Sequence, residues 1–351
     1  MTTRQPTAFE SIPAIDIAPL FGSNTTARQA VAEELGRAAR EVGFFYVTNH
    51  GISEARQQAL FDQTERFFKL PLEHKMDYYI GKSDNHRGYV PAGEEAPDPA
   101  KADAKEAFDL SFELPADHPD VQAGTPMLGA NVWPDLDGFA DDVYAYYQDV
   151  FNVGRALMGG FEQALGLEQN TLLGQVTEPP SQLRLIHYPF DPSATDAQGI
   201  GAHTDYECFT LLRPTAPGLE VMNGAGEWID VPYRADALVV NIGDMLEIWT
   251  NGAFVATSHR VRKVKEERYS FPLFFAADYH TEVAPLAQLL EDGETPNYEP
   301  LAAGDHLWAQ TIQTFNYLKK RLAAGEIELP DGSRSAGSLG QHARHKTDGV
   351  S

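Results

Sequence analysis

The chain has 351 residues, a hydrophobic fraction of 42%, a single cysteine and a formal charge of −24. This content supports a substantial core in one large or two ordinary domains, and so acidic a surface repels phosphate backbones and anionic lipid, arguing against nucleic-acid and membrane partners. Cys208 alone excludes an intramolecular disulfide framework; with no cationic-apolar leader and no apolar run of membrane-spanning length, a soluble protein of a reducing cytoplasm is expected.

In chain order, residues 12–17 alternate like a short strand, and Pro13 marks a sheet edge. Thr26 and Gln29 have capping-box spacing, and apolar residues from Ala30 to Val42 continue at helical period until Gly43. Residues 44–47 form a strand. Ser53 caps a second helix with the stripe Leu60, Phe61, Thr64, Phe67 and Phe68, closed by Pro71. Residues 81–106 form a long irregular loop, a length more often functional or mobile than idle. A strand over 105–113 follows, then a long helix from Phe139 to about Leu165.

After Pro179-Pro180 the pattern changes to short runs of β-formers at 182–188, 207–213, 218–222, 227–232, 237–242, 245–249, 254–262 and 268–277. Short strands with turn signals between them predict a double-sheet jelly roll or small barrel. A final helix over about 303–323 precedes a Gly/Ser/His-rich tail expected to be disordered. The fold class is therefore mixed α/β with a mainly β core. Its organisation is a mixed region over 1–120, a linking segment with the long helix over 121–180, a jelly-roll core with its helix over 181–330, and a tail over 331–351.

The chemistry concentrates in Gly201-Ala202-His203-Thr204-Asp205-Tyr206, Ser258-His259-Arg260 and Arg268-Tyr269-Ser270. His-x-Asp on a strand would place both side chains on one face. Adding His259 gives two imidazoles and a carboxylate, the donor set of non-haem Fe(II) oxygenases, with positions open for co-substrate and O₂. Arg268 and Ser270 share a strand face and suit the far carboxylate of a bound 2-oxo acid. Tyr188, on the same face as Arg184 and Ile186, is a third candidate for that carboxylate. His187 points away and reads as structural. The remaining histidines lack ligand spacing and read as turn or surface residues. Cys208 reads as a small buried hydrophobe and Asn241 as a core hydrogen-bonding residue, while Trp249 and Phe275 are candidate pocket walls.

These motifs resemble the isopenicillin N synthase-like branch of the Fe(II)/2-oxoglutarate-dependent dioxygenases. The resemblance runs from Ile12–Ile17 and Val42–Ile52 through Gly201–Tyr206, Asn251-Gly252, Ser258–Val261 and Glu267–Ser270 to the final helix. It implies a distorted double-stranded β-helix with flanking helices. His203, Asp205 and His259 match the iron ligands, and Arg268 and Ser270 match the Arg-x-Ser that grips 2-oxoglutarate. One departure is Ile186-His187-Tyr188, where many relatives have Asn-x-Tyr. The loop from Arg87 to Glu94 lies where the family closes over substrate, giving Arg87, Tyr89 and Phe108, with Ile186, as substrate contacts. The implied reaction decarboxylates 2-oxoglutarate to succinate and CO₂ while hydroxylating, desaturating or cyclising a small organic substrate. The alternatives are an Fe(II) oxidase of the same fold that does not use 2-oxoglutarate, a zinc hydrolase on the same ligands, and a non-catalytic metabolite-binding jelly roll. Substrate and oligomeric state are left open.

Overall fold

The computed structural model describes residues 6–95, 105–190, 198–262, 266–291 and 293–334. β1 (Ala14–Asp16) leads to α1 (Thr25–Glu41), which is capped by Asn24 accepting the Ala27 N–H. The cap lies two residues before Thr26, because the asparagine oxygen already satisfies an orphan donor of the first turn. Gly43 stops the helix at φ +72°, where a Cβ would meet the Val255 carbonyl. β2 (Phe44–Thr48) follows, then α2 (Glu54–Phe68), capped by Ser53, and the short α3 (Leu72–Met76). β3 (Gly88–Val90) pairs antiparallel with β4 (Glu106–Ser111), so the expected irregular loop carries a strand; residues 96–104 of it lie outside the described residues. α4 (Pro119–Ala123) precedes the long α5 (Phe139–Ala164).

The second half holds β5 (Gln182–Tyr188), β6 (Gln198–His203), β7 (Phe209–Pro214), β8 (Leu219–Met222), β9 (Trp228–Asp230) and β10 (Ala237–Ile242). Then come α6 (Asp244–Trp249), β11 (His259–Arg262) and β12 (Arg268–Phe275). Two expectations change. Residues 245–249 form α6 rather than a strand, and β6 occupies a stretch not read as one. The chain closes with β13 (Glu282–Val283), β14 (Leu301–Ala302), α7 (Ala303–Thr314) and α8 (Asn316–Ala323). The expected single final helix breaks at Phe315, whose backbone is extended. The tail from residue 335 lies outside the described residues.

The strands form an eight-stranded sheet, β1-β2-β10-β7-β12-β5-β4-β3, and a four-stranded sheet, β6-β11-β8-β9. β1 is an edge strand, as Pro13 requires. One face of the large sheet (among others Phe45, Val240, Leu211, Phe271, Leu185 and Phe108) packs on α1, α2 and α5 in the main core. The opposite face is covered in two places. Phe44, Tyr46 and Val239 meet Leu219, Val221 and Val261 of the small sheet. Val90, Ala107 and Ile186 lie under Ile312, Phe315 and Leu318 of α7 and its surroundings. Between these two covers runs β12, whose Arg268, Ser270 and Phe274 join neither cluster. The result is a jelly roll with flanking helices and a trough along β12. Among the described residues no helix is long and apolar enough to cross a membrane.

Candidate active site

β6 and β11 pair antiparallel with His203 opposite His259, and the two ring centroids are 4.3 Å apart. Asp205 is not on the strand. β6 ends at His203, and the chain turns so that Asp205 Oδ2 accepts from Thr210 Oγ1 at 2.5 Å and from Asn241 Nδ2 at 2.7 Å. Strand alternation therefore does not explain His-x-Asp here; two donors on the large sheet aim the carboxylate. Its Oδ1 stands 3.6 Å from His203 Nε2 and 3.5 Å from His259 Nε2. His203 Nδ1 lies 2.8 Å from the Gly201 carbonyl, and His259 Nδ1 lies 3.4 Å from that of Thr257. A ring nitrogen facing a carbonyl carries a proton, which leaves each Nε2 directed into the shared space as the ligand atom.

Each of the three residues offers an atom within 4.8 Å of the others, the sole such group among the described residues. Two imidazole nitrogens, one carboxylate oxygen and no thiolate fit Fe(II). The His203 side chain is 37% exposed, against 4% for Asp205, so the cluster is approachable from one side. Burial pushes the Asp205 carboxyl up, but His259, His203 and the donors Thr210 and Asn241 outweigh it and hold it below the ordinary range. Burial, then His203, pushes His259 down to about 4 against the pull of Asp205. At neutral pH the site therefore presents an anion and an unprotonated His259, as metal binding requires.

Arg268 is only 1% exposed. Its Nε donates to the Ala216 carbonyl at 3.3 Å, while its Nη1 is buried with no hydrogen-bond partner. Leaving such a donor unmet costs about 1–3 kcal/mol or more, which a bidentate carboxylate would offset. Tyr188 is the cross-strand partner of Arg268, and its ring centroid lies 5.0 Å from the guanidinium carbon. Ser270, two residues on, faces the same way opposite Ile186. Ile186 thus lies on the site face, beneath the α7 layer.

The other expected substrate contacts lie elsewhere. Phe108 and Phe275 point into the main core, because each sits on the helix-facing set of alternating strand positions. Tyr89 is on that face too, donating to Glu106 at 2.5 Å. Trp249 is buried at the end of α6 in the same core. Arg87 is spent on structure: its guanidinium donates to Asn131 Oδ1 at 2.6 Å and to the carbonyls of Phe112 and Met127. His187 is structural, held between Glu106 and Glu267 at 2.9 Å each. His86 and His306, expected at turns or the surface, are buried.

Two residues of the site, Thr210 and Phe274, escaped the sequence reading, and Asn241, read as a core hydrogen-bonding residue, makes its bond to a site carboxylate. Thr210 and Asn241 support Asp205, and they are cross-strand partners of each other. A polar residue in the apolar run Val239-Val240-Asn241-Ile242 was the visible signal for Asn241. Thr210 gave none, since its role depends on register. Phe274, the other cross-strand partner of Thr210, is the partly exposed aromatic of the trough floor, in place of Phe275.

Comparison with known proteins decides what this arrangement belongs to. Residues 179–277 match the model of the 2OG-Fe(II) oxygenase superfamily, and residues 12–136 match that of the non-haem dioxygenase in morphine synthesis N-terminal region. A homoarginine-6-hydroxylase of Oryza sativa subsp. japonica is 34% identical over 88% of this chain and 98% of its own length. The chain belongs to the 2OG-Fe(II) oxygenase superfamily. Within it the chain falls in the isopenicillin N synthase-like branch: the isopenicillin N synthase of Penicillium rubens is 32% identical over 87% of this chain and 96% of its own. Among solved structures, a 2OG-Fe(II) oxygenase family protein from Caulobacter crescentus superposes with a TM-score of 0.75 at 30% identity, covering 90% of this chain and 99% of that one. Neurospora crassa T7H in complex with α-KG and thymine gives 0.71 at 26% identity, covering 90% and 97%. The oxygenase is therefore an Fe(II)- and 2-oxoglutarate-dependent dioxygenase that uses O₂ and oxidises a small organic molecule.

Proposed function

We propose that His203, Asp205 and His259 hold the Fe(II), that Arg268, Ser270 and Tyr188 bind the remote carboxylate of 2-oxoglutarate, and that the trough over Phe274 receives the substrate. The observation that carries this reading is the combination of a three-ligand cluster with a buried, unpartnered guanidinium donor along one trough. When bound, Fe(II) with O₂ and 2-oxoglutarate supplies the oxidising chemistry: the co-substrate leaves as succinate and CO₂, and the default outcome for the substrate is hydroxylation.

The protein's own contribution is binding and orientation. Thr210 and Asn241 keep Asp205 Oδ1 turned to the metal position, and the Gly201 and Thr257 carbonyls fix the two imidazoles. Arg268 neutralises the far carboxylate in a buried setting, where an unpaired anion would be costly. Phe44 meets His259 in a T-shaped ring contact with centroids 5.2 Å apart. The chemistry is assigned to residues 181–330, with residues 1–120 supplying sheet strands β1–β4. Cys208, buried and free, supports action in a reducing cytoplasm. Succinate formation that requires added Fe(II) and is absent in His203→Ala tests the assignment. Turnover without iron, or without succinate, would contradict it.

A further inference from the structure

The floor of the trough can be followed across the sheet from the two residues that support Asp205. Asn241 lies opposite Thr210, Thr210 opposite Phe274, and Phe274 opposite Gln182. Residues paired directly across strands turn their side chains to one face. Thr210 and Asn241 identify that face, since both donate to the Asp205 carboxylate. Their sequence neighbours Val240, Leu211, Phe275 and Leu183 all lie in the main core on the other face, as strand alternation requires. Gln182 therefore turns toward the trough beside Phe274, two strands and so about 10 Å from Thr210.

β5 is an interior strand, with β12 on one side and β4 on the other, so Gln182 is not a rim residue of the sheet. It is partly exposed, as is Phe274, and among the described residues its amide makes no hydrogen bond. The next residue on that face behaves differently. Arg184 donates to both oxygens of Asp109 and to Glu95, and its guanidinium carbon lies 5.5 Å from the Phe315 ring centroid, under the α7 layer. Glu95 also pairs with Lys105 at 3.0 Å. Two cations and two anions thus neutralise one another, as buried charges must. The polar group that the floor leaves accessible beside Phe274 is a neutral amide.

We propose that Gln182 is a substrate-recognition residue, its amide meeting an uncharged carbonyl or carboxamide of a primary substrate that lies over Phe274. An amide offers an acceptor and two donors, matching groups that carry both. It disfavours an ion, which would be left without a counter-charge in a partly desolvated place. This rests on the reading of the β12 trough as the oxygenase site. It names the substrate class that site takes: an uncharged polar group joined to an apolar or aromatic body.

The test uses the full-length protein loaded anaerobically with Fe(II) and 2-oxoglutarate, whose visible band reports changes beside the metal. The probes are benzamide and two charged molecules of the same shape, benzoate and benzamidinium. Benzamide should perturb the band at lower concentration than either ion. Gln182→Leu, which removes the polar group at similar volume, should weaken benzamide about 3- to 10-fold, the worth of one neutral hydrogen bond. Its affinity for 2-oxoglutarate should not change. Gln182→Glu places an anion of the same shape on the floor and should reverse the order, so that benzamidinium binds more tightly than benzamide. A glutamine with a merely structural role would give no such reversal. Both variants should unfold at the denaturant midpoint of the unsubstituted protein, because the amide bonds to nothing in the fold. The proposal is overturned by equal benzamide binding in all three proteins, by tighter binding of benzoate to the unsubstituted one, or by no response to benzamide at millimolar concentration. A lower midpoint in both variants would overturn it as well, since the amide would then be engaged within the fold. Failure of the band to form with 2-oxoglutarate in the unsubstituted protein would instead strike the assignment of the site.

Discussion

The two faces of the large sheet do opposite work with the same strands. The helix-facing side is closed and apolar, with Phe209 stacked on Phe275 at 4.6 Å and Phe67 meeting Phe108 at 5.0 Å. The other side carries Asn241, Thr210, Arg268 and Ser270, polar groups that are buried yet aimed at a common space. A single step along a strand exchanges the two roles. Phe275 is core and Phe274 is trough floor; Tyr269 is stacked on His187, and Arg268 is the proposed anion grip. Stability and chemistry are thus separated by strand parity, not by distance along the chain.

The largest break in this comparison is expected on the polar face. His259→Ala should abolish iron binding and turnover while the protein remains folded, checked by iron stoichiometry and circular dichroism. A full complement of iron in that variant would remove His259 from the site. The apolar face should respond in the opposite way. Phe275→Ala is expected to cost about 3–5 kcal/mol of stability, the usual price of an aromatic truncated in a core, yet to retain 2-oxoglutarate binding. Phe274→Ala should lose less stability and weaken the primary substrate instead; the paired denaturation curves decide whether parity separates the roles.

A finer test addresses the residues behind the ligand. Asn241→Ala should lower iron affinity about 10- to 100-fold, the usual effect of removing a group that orients a metal ligand, without altering which residues bind. Iron titration of the variant measures this, and an unchanged affinity would mean that Thr210 alone aims Asp205. The last effect is confined to acid conditions. His86 is buried against Tyr317, with Nδ1 2.7 Å from its hydroxyl, and burial pushes it from 6.5 down to about 3. Between those values the unfolded chain binds a proton that the fold refuses. Stability is therefore full above pH 6.5 and falls as pH drops toward 3, by up to about 1.4 kcal/mol per pH unit. His86→Gln should flatten that slope in unfolding measured across the window.

Much of this was legible in the residues themselves. The helices α1, α2 and α5 and the strands β5, β10 and β12 carry strong periodicity, and His203, Asp205, His259 and Arg268 are distinctive in type and spacing. The misses have physical causes. β6, Gln198-Gly199-Ile200-Gly201-Ala202-His203, is poor in β-formers and takes its shape from pairing with β11. Met245-Leu246-Glu247-Ile248-Trp249 is a short apolar run that periodicity alone assigns to either state. Tyr89 and Phe108 were placed at the substrate because the Arg87–Glu94 loop resembles the one that closes over substrate in the family, and Phe275 as an aromatic pocket wall. Which face each one took depended on strand parity relative to Arg268 across two or more pairings, and register between distant strands is not written in any local pattern. Thr210 was missed for the same reason, and the hydrogen bond expected of Asn241 could not be assigned to Asp205 without the register.

The most direct test of the central claim is anaerobic titration of the Fe(II)-loaded protein with 2-oxoglutarate, following the weak visible charge-transfer band. The account predicts a band that saturates with 2-oxoglutarate and is lost or greatly weakened in Arg268→Ala, because the buried Nη1 donor has no other partner. A protein that holds stoichiometric Fe(II) but gives no band, or an Arg268→Ala variant that titrates like the unsubstituted protein, would contradict it.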